Sequence, residues 1–313
     1  MRTASPSFPK GFCHLVCGPH RYRGLFLFVI AVSLMSSGRL IQAQANEPVI
    51  EEKTLLTEDN IELKITYFKS TGGKDAPVAI LLHGKQGQRR QWTGVASYLQ
   101  KKEDYAVVAV DLRGNGESQL PKKSEVKKND YPSMVTMDMQ AVKDFLFEEH
   151  QKGQLNMNKT GIVACEFSAA VALVFTEVDW QKEPHDDSPV EKDRTPRGQD
   201  IQAIALVSPD ATVPGLFAGK TAAAMRGLNI AVMIAASEVN TQDLNNSKKL
   251  FEQFSGKKEN ERLWFKKYPE SVRGMDLILQ DLQIKRDIVD FLNKYVKDHQ
   301  STWRDRRSRL ERD

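Results

Sequence analysis

Residues 159–172, KTGIVACEFSAAVA, constrain the fold more than any other stretch of this chain. An apolar run of strand length leads into small residues and then into an apolar run of helical character. Ala164 and Ser168 lie two residues before and two residues after Glu166, which is the spacing of a sharp strand-to-helix turn with small flanking residues. The central position of such a turn commonly presents a serine nucleophile. Here it holds a carboxylate, which indicates either unusual chemistry or a lost reaction.

Apolar runs of strand length alternate with longer helical patterns along the chain. Residues 78–82 and 105–110 are continuous apolar runs, as expected for strands buried on both faces of a sheet. Strands that alternate with helices favour a mostly parallel central sheet with helices on both faces, an α/β fold. The sequence predicts strands at 61–68, 78–82, 105–110, 161–164, 201–207, 230–235 and 263–267, and helices at 91–101, 137–149, from 169, around 251–254 and at 281–297.

The first part of the chain has the pattern of an export signal. An apolar run at 24–37 follows Arg21 and Arg23 and precedes Ala-Gln-Ala at 43–45, a small-x-small cleavage pattern. This run is shorter than the roughly 20 apolar residues that span a membrane. The sequence predicts a signal peptide over 1–45 and a periplasmic or secreted protein, and a leader retained as a membrane anchor is the alternative.

The rest of the chain is expected to form one α/β domain over 46–300 and a charged C-terminal tail over 301–313. The tail is predicted to be solvated and frayed. The polar, proline-containing stretch at 180–200 is predicted to be an exposed loop between a helix and a strand. It could cover part of a cleft.

Charge and cysteine content exclude several classes of function. The predicted leader holds five of the 45 basic residues and no acidic one, so 40 Lys and Arg remain against 41 Asp and Glu. The mature chain therefore offers no basic surplus for a nucleic-acid partner. Cys165 is its single cysteine, so no intramolecular disulfide can form. Neither a metal-ligand cluster nor a phosphate-binding glycine loop is present, and we expect no metal and no other cofactor.

Two further motifs follow predicted strands: Leu-Leu-His-Gly at 81–84 and Asp-Leu-Arg-Gly-Asn-Gly-Glu-Ser at 111–118. With the turn at Glu166, they resemble the α/β-hydrolase superfamily, particularly its dienelactone-hydrolase-like and small esterase members, over about 60–296. The resemblance implies an α/β-hydrolase fold. It also implies that the HG loop and the residue after the nucleophile supply oxyanion-hole amides. The candidate oxyanion-loop residues are His83, Gly84, Lys85 and Phe167.

All three catalytic-triad positions that the resemblance implies depart from the family's pattern. Glu166 occupies the nucleophile position, and Asn240 best matches the acid position, with Glu238 an imperfect substitute. Arg273 stands where the histidine belongs. Arginine stays protonated in proteins and cannot act as the general base. Related dehalogenases and epoxide hydrolases use a carboxylate nucleophile, but theirs is Asp and they still need His to hydrolyse the ester intermediate.

Other reactive side chains have ordinary structural explanations. His83 belongs to the HG turn, whereas His185 lies in the polar loop and could fold back over the cleft. Using Cys165 as the nucleophile would place the bulky residues Val163 and Phe167 at flanking positions that require small ones. A buried, inert Cys165 thiol is therefore expected.

We hypothesise that Glu166 and Arg273 form an ion pair across the former active site. The sequence then favours a catalytically degenerate protein with a binding or scaffolding role, whose partner is an unknown small molecule or protein. The alternative is an active esterase-like enzyme with Glu166 as base or nucleophile and Arg273 as an anion anchor. Contact with a membrane is expected only if the leader is retained.

Overall fold

The computed structural model describes residues 49–256 and 260–312. The predicted signal peptide over 1–45 lies outside these residues. The described residues fall in one compact unit, Ala45–Asp313. None of the helices in those two ranges is both long enough and apolar enough to cross a membrane.

An eight-stranded sheet forms the centre of the structure. Its strands are β1 Ile50–Leu56, β2 Glu62–Phe68, β3 Val78–Leu82, β4 Ala106–Val110, β5 Thr160–Cys165, β6 Ile201–Val207, β7 Ala231–Ser237 and β8 Leu263–Tyr268. They are arranged in the order β1-β2-β4-β3-β5-β6-β7-β8. β2 is antiparallel to β1 and β4, and all the other neighbours are parallel. The predicted α/β fold is confirmed.

Helices cover both faces of the sheet. They are α1 Thr93–Glu103, α2 Asp130–Ser133, α3 Met139–Gln151, α4 Phe167–Trp180, α5 Ala218–Ala224, α6 Thr241–Phe254, α7 Gly274–Gln280 and α8 Leu282–Leu292. A π-helical turn over Met134–Asp138 joins α2 to α3, and another over Asn293–Lys297 extends α8. Helices α3 to α6 pack on one face, and α1, α7 and α8 pack on the other.

The apolar runs form strands because both of their faces are buried. Ile80 and Leu82 of β3 point into the core under α3 to α6, whereas Ala79 and Leu81 point into the core under α1 and α8. All four side chains are at most 2% exposed. A continuous apolar strand therefore contributes side chains to the hydrophobic cores on both faces of the sheet, because successive side chains point to opposite faces.

The DLRGNGES motif forms the turn after β4, and charged hydrogen bonds fix it to its neighbours. Asp111 accepts hydrogen bonds from the Arg89 amide and guanidinium, and Arg113 Nε donates to Asp138 at 2.8 Å. Gly116 has a φ of 53°, and a Cβ there would meet the Asp111 carboxylate at 2.3 Å. Asp111 and Arg113 thereby hold this loop in place.

Some elements were not predicted, for identifiable reasons. Strand β1 alternates exposed and half-buried residues at the edge of the sheet, so it has no continuous apolar run. Helices α5 and α7 have seven residues each, too few to establish a helical period. The stretch predicted around 251–254 is only the end of α6, whose earlier residues are mostly polar.

The prediction of a frayed, solvated C-terminal tail is wrong. Arg306 is only 3% exposed and donates to Asp200 at 2.5 Å and to the Pro196 carbonyl at 3.0 Å. Trp303 stacks on His150 with ring centroids 5.0 Å apart. The charges of the tail suggested solvation, but a buried carboxylate from another part of the chain neutralises the central arginine. The tail therefore fastens the 181–200 segment to the body of the domain.

We predict that Arg306→Ala destabilises the fold by about 3 kcal/mol, because it leaves Asp200 and the buried carbonyls short of a donor. Denaturant unfolding followed by circular dichroism would measure this loss. Arg90→Ala is a matched control, since Arg90 is 58% exposed and pairs with Glu117 at the surface. It should cost less than about 1 kcal/mol. Equal, small effects of the two substitutions would show that the tail does not support the fold.

Candidate functional site

Loops that follow five parallel strands meet at the carboxyl edge of the sheet. They carry Gly84 after β3, Glu166 after β5, Ser208 after β6, Asn240 after β7 and Arg273 after β8. In open α/β sheets, ligand sites form at this edge. The structure therefore places all three predicted triad positions, and the predicted oxyanion loop, on the same edge.

The turn at Glu166 has the strained geometry predicted from its small flanks. Glu166 has a φ of 54° and a ψ of −120°, immediately before the first residue of α4. A non-glycine residue held in such a region costs on the order of 1–3 kcal/mol, and such residues cluster at functional sites. Ala164 and Ser168 are fully buried beside it. The Ser168 hydroxyl donates to the Cys165 carbonyl at 2.8 Å, which helps to fix the turn.

The carboxylate of Glu166 contacts the backbone amide that the resemblance predicts for an oxyanion hole. Its Oε2 accepts a hydrogen bond from the backbone amide of Lys85 at 2.6 Å. A Cβ at Gly84 would lie 2.4 Å from Oε2, and one at Gly274 would lie 2.7 Å from the carboxyl carbon. The side chain is thus held between two glycines. Phe167, the other predicted oxyanion residue, begins α4, so its amide has no acceptor within the helix.

Arg273 lies beside Glu166, but its shortest contacts are to other groups. Its Nη2 donates to Asp210 Oδ1 at 2.8 Å and to the Ser208 carbonyl at 2.7 Å. Its Nε lies 3.9 Å from Glu166 Oε1. The hypothesised pair is therefore a long contact within a larger group of charges. Asp210 is the direct partner of the arginine.

Asp243 is a member of this group that the sequence analysis missed. It lies in the first turn of α6, is 1% exposed, and has Oδ1 at 3.8 Å from Arg273 Nε. Neither of these two atoms makes a hydrogen bond within the described residues. Oδ2 of Asp243 accepts from the Ser237 amide at 2.8 Å and from the Ser208 hydroxyl at 2.9 Å. The sequence could have indicated Asp243, because it is an acidic residue in the first helical turn after the strand predicted at 230–235.

Asn240 has a different role from the one its sequence position implied. Its Oδ1 accepts from the Asp243 amide at 3.0 Å, and so caps the N-terminus of α6. Glu238, the substitute candidate, is exposed and lies 3.7 Å from Lys267. The acid-loop carboxylate that approaches Arg273 is therefore Asp243. Because α6 begins directly after Asn240, Asn240 caps the helix and Asp243 lies in its first turn.

The group has more carboxylates than cations, and burial adds to the resulting repulsion. Burial raises the pKa of Glu166 above its ordinary value of 4.5, and Asp210 and Asp276 raise it further. The Lys85 amide and Arg273 oppose this rise without cancelling it. Burial likewise raises the pKa of Asp243, against its hydrogen bonds and Arg273. These carboxyls therefore hold protons more tightly than free ones do.

No described histidine takes the position of a general base beside Glu166. In His83, Nδ1 contacts the Gly84 carbonyl at 2.8 Å and Nε2 accepts from the Leu112 amide at 3.1 Å, so both nitrogens are engaged. Burial lowers the pKa of His83. His185 lines a pocket with Met157, which precedes β5, and so lies at the amino edge of the sheet. The expectation that His185 could cover the cleft is not met.

The side chain of Cys165 is placed as the sequence predicts, inside the protein. Cys165 is fully buried at the end of β5, and burial raises the pKa of its thiol well above the ordinary value. A thiol that resists ionisation is a poor nucleophile.

Within 49–256 and 260–312, no group of three or more His, Cys, Asp or Glu side chains is arranged to hold a metal ion.

Comparison with known proteins identifies the architecture. A family model described as the alpha/beta hydrolase fold matches residues 77–157. An esterase of Pyrococcus furiosus superimposes with a TM-score of 0.54 and 14% identity, over 80% of this chain and 91% of that one. This chain has the α/β-hydrolase fold. No curated protein matches its sequence.

Two other solved structures share the α/β-hydrolase fold with this chain. An esterase from Pyrobaculum calidifontis has a TM-score of 0.54 and 12% identity, over 80% of this chain and 84% of that one. A dienelactone hydrolase from Anabaena variabilis has a TM-score of 0.50 and 12% identity, over 80% and 99% respectively. The resemblance inferred from the HG loop, the DLRGNGES turn and the segment around Glu166 is thereby confirmed. At these identities the likeness is one of fold.

Glu166→Gln is predicted to stabilise the protein at neutral pH. The pKa of Glu166 is raised in the folded state, so the protonated carboxyl favours folding and the ionised one does not. This contribution to the free energy of unfolding is complete below the unfolded pKa, and it is lost as pH rises through the folded pKa. Glutamine removes the charge but keeps an acceptor for the Lys85 amide. The melting temperature of the variant should exceed that of the wild type at pH 7, and the difference should shrink toward pH 4.

Asp210→Asn is the matched control for that experiment. It also removes one negative charge from the same group, but it weakens the direct hydrogen bond to Arg273. We expect a loss of about 1 kcal/mol at pH 7. If Glu166→Gln lowered the melting temperature as Asp210→Asn does, Glu166 would be a stabilising partner of Arg273 after all.

Asn240→Ala is predicted to cost about 1 kcal/mol, because it removes the cap of α6. Asn240→Asp should retain most of the stability, since a carboxylate also accepts the Asp243 amide. Asn245→Ala, on the exposed face of α6, controls for helix propensity and should change stability by less than about 0.5 kcal/mol. Urea unfolding would measure all three. A neutral Asn240→Ala would argue that the cap is unimportant in solution.

Proposed function

We propose that this protein is exported and that its α/β-hydrolase fold serves binding or scaffolding instead of hydrolysis. One observation carries the proposal: the Glu166 carboxylate itself accepts the Lys85 amide, at 2.6 Å. That amide is where the resemblance places the oxyanion of a reacting ester. A negative charge fixed there opposes the charge that ester hydrolysis develops, so the site disfavours the transition state.

The absence of a suitable base among the described residues supports the same proposal. Ester hydrolysis by a carboxylate nucleophile needs a second group to activate water against the intermediate. Arg273 occupies the base position and remains protonated. It is also held in place by Asp210 and the Ser208 carbonyl. Arg273 is therefore fixed as a cation by these contacts and is not poised to move a proton.

A cleft next to this group offers a place for a ligand. It has a volume of about 370 Å³ and lies between α5 and α6, with Asp210 among its lining residues. Lys220 and Lys249 line it together with the apolar side chain of Leu250. A volume of this size suits a small molecule or a protruding side chain of a partner protein. The cleft is the binding surface that we assign to the proposed role.

Export rests on the leader. Its basic start, apolar run and small-x-small site are the features of a secretory signal. Fractionation of the native host cell tests the assignment. Recovery of a shortened chain in the soluble exported fraction would support it, and release only by detergent would indicate a retained anchor.

An esterase-like enzyme is the second candidate, and two observations favour it. The solved structures that share this fold include esterases. Glu166 also keeps the strained turn on which a nucleophile is presented, and burial raises its pKa, as in a general base tuned toward neutral pH. In this case Glu166 would act as base or nucleophile, with Arg273 as an anchor for an acidic substrate.

The deciding experiment is a hydrolysis assay with purified residues 46–313 on short-chain aryl esters and a lactone. We predict no turnover above background for the wild type or for Glu166→Ala. Relative to an active esterase of this fold assayed in parallel, the rate should be lower on the order of 10⁴-fold or more. The parallel enzyme shows that the assay reports activity.

Turnover by the wild type that disappears in Glu166→Ala would overturn the proposal and establish a working carboxylate site. Turnover that is equal in both proteins would point to a contaminant or to another site. Circular dichroism of both proteins confirms that they are folded, so that inactivity cannot be attributed to unfolding.

A further inference from the structure

A second pocket lies at the opposite edge of the sheet from Glu166. It has a volume of about 250 Å³, and its walls include Met157, which precedes β5, and Arg306 from the C-terminal tail. Because β5 and β6 run parallel, residues before these strands lie at the amino edge, whereas Glu166 lies at the carboxyl edge. This amino-edge pocket is therefore separate from the candidate site.

Buried ion pairs form the base of the amino-edge pocket. Lys143 Nζ hydrogen-bonds to Asp179 and lies 2.9 Å from Asp200 Oδ2, and Arg306 donates to the other oxygen of Asp200. Gly198 lets the 181–200 segment approach this base, since a Cβ there would lie 1.9 Å from the Asp179 carbonyl. Two cations and two carboxylates balance in this layer, which makes it a neutral and rigid support.

The cations above this base are not balanced in the same way. Lys182 Nζ donates to the Gln140 side-chain oxygen at 2.7 Å, which uses one of its three protons. In the described part of the chain, the Arg197 guanidinium and the His185 imidazole make no hydrogen bond or ion pair. All three side chains line the pocket. Asp144, the one acidic residue in its lining, accepts from the Gln140 amide at 2.6 Å.

The pKa of Lys182 lies below its ordinary value, so its charged form is disfavoured in this position. Burial lowers the pKa of Lys182, and the adjacent cation of Lys143 lowers it further. The carboxylates of Asp179, Asp144 and Asp200 oppose these effects, yet the net direction remains downward. A lysine held in this way gains from a nearby anion, because the anion favours its charged form.

Apolar side chains complete the lining. Phe147 and Met157 face the pocket from α3 and from the loop before β5, and Pro196 faces it from the 181–200 segment. Ligand sites typically combine apolar walls with a few polar groups that fix orientation. The volume is below that of pockets for drug-sized molecules, so the ligand that fits is small.

We propose that the amino-edge pocket binds a small organic anion, a carboxylate or phosphate monoester on a compact apolar body. Lys182 and Arg197 bind the anionic group, and His185 offers a further polar contact. Charge-assisted hydrogen bonds to lysine and arginine are about twice as strong as neutral ones, and they give the site its preference for anions. Phe147 and Met157 contact the apolar body. This binding does not depend on whether Glu166 is catalytic.

Isothermal titration calorimetry with benzoate and phenyl phosphate, on the purified mature chain, tests the proposal. Benzamide is the neutral probe of similar shape. We expect both anions to bind, benzamide to bind at least about tenfold more weakly, and the anions to bind more weakly as salt is raised. Comparing the two anions distinguishes a carboxylate site from a phosphate site.

The double substitution Lys182→Met with Arg197→Gln should weaken anion binding at least about tenfold. Lys101→Met with Lys102→Gln is the matched control, because it removes the same charge from the exposed end of α1. It should leave binding unchanged. Arg197→Gln alone changes an exposed side chain, so it tests the site without risk to the fold.

Three results would overturn the proposal. The first is no binding heat with either anion at millimolar concentration. The second is equal affinity for the anions in the wild type, in Arg197→Gln and in the double variant Lys182→Met with Arg197→Gln. The third is an equal loss of affinity in the α1 control, which would indicate a general effect of net charge instead of a site.

Discussion

The strained turn at Glu166 is the constraint on which the rest of the carboxyl edge depends. It joins the central strand β5 to α4 with a backbone conformation that few residues adopt. The turn requires small flanks and places the Glu166 side chain between Gly84 and Gly274. With its position fixed in this way, the carboxylate reaches the Lys85 amide. The neighbouring loops must then accommodate a half-buried negative charge.

Arg273 meets that requirement only in part. It is shared among Glu166, Asp210 and Asp243, and its tight hydrogen bonds go to Asp210 and Ser208. Burial raises the pKa values of Glu166 and Asp243, and one cation shared among three carboxylates does not cancel that rise. A buried ion pair adds little net stability, because the cost of removing both charges from water offsets their attraction. In the same geometry, the Lys85 amide donates its hydrogen bond to Glu166.

The two edges of the sheet differ in charge. The carboxyl edge gathers carboxylates around a single arginine, whereas the amino-edge pocket has cations that exceed its carboxylates. The C-terminal tail makes the second arrangement possible, since Arg306 completes the ion-pair layer under the pocket. Segments that the sequence presents as a solvated loop and tail thus line a second pocket. This follows from burial, which pairs charges that are distant in the chain.

The sequence by itself determined the elements whose signals are local. Continuous apolar runs marked β3 and β6 at their observed limits, and small residues around Glu166 marked the sharp turn, because burial on both faces and steric crowding act over a few neighbouring residues. Tertiary structure alone decided which charges meet. Asp243 approaches Arg273, whereas Asn240 caps α6, because the helix begins directly after Asn240. Arg306 is buried because Asp200, more than a hundred residues away, neutralises it. Strand order and helix phase set such partners. A difference of a few ångströms decides whether two charged groups form a hydrogen bond or remain apart, and sequence spacing does not encode that difference.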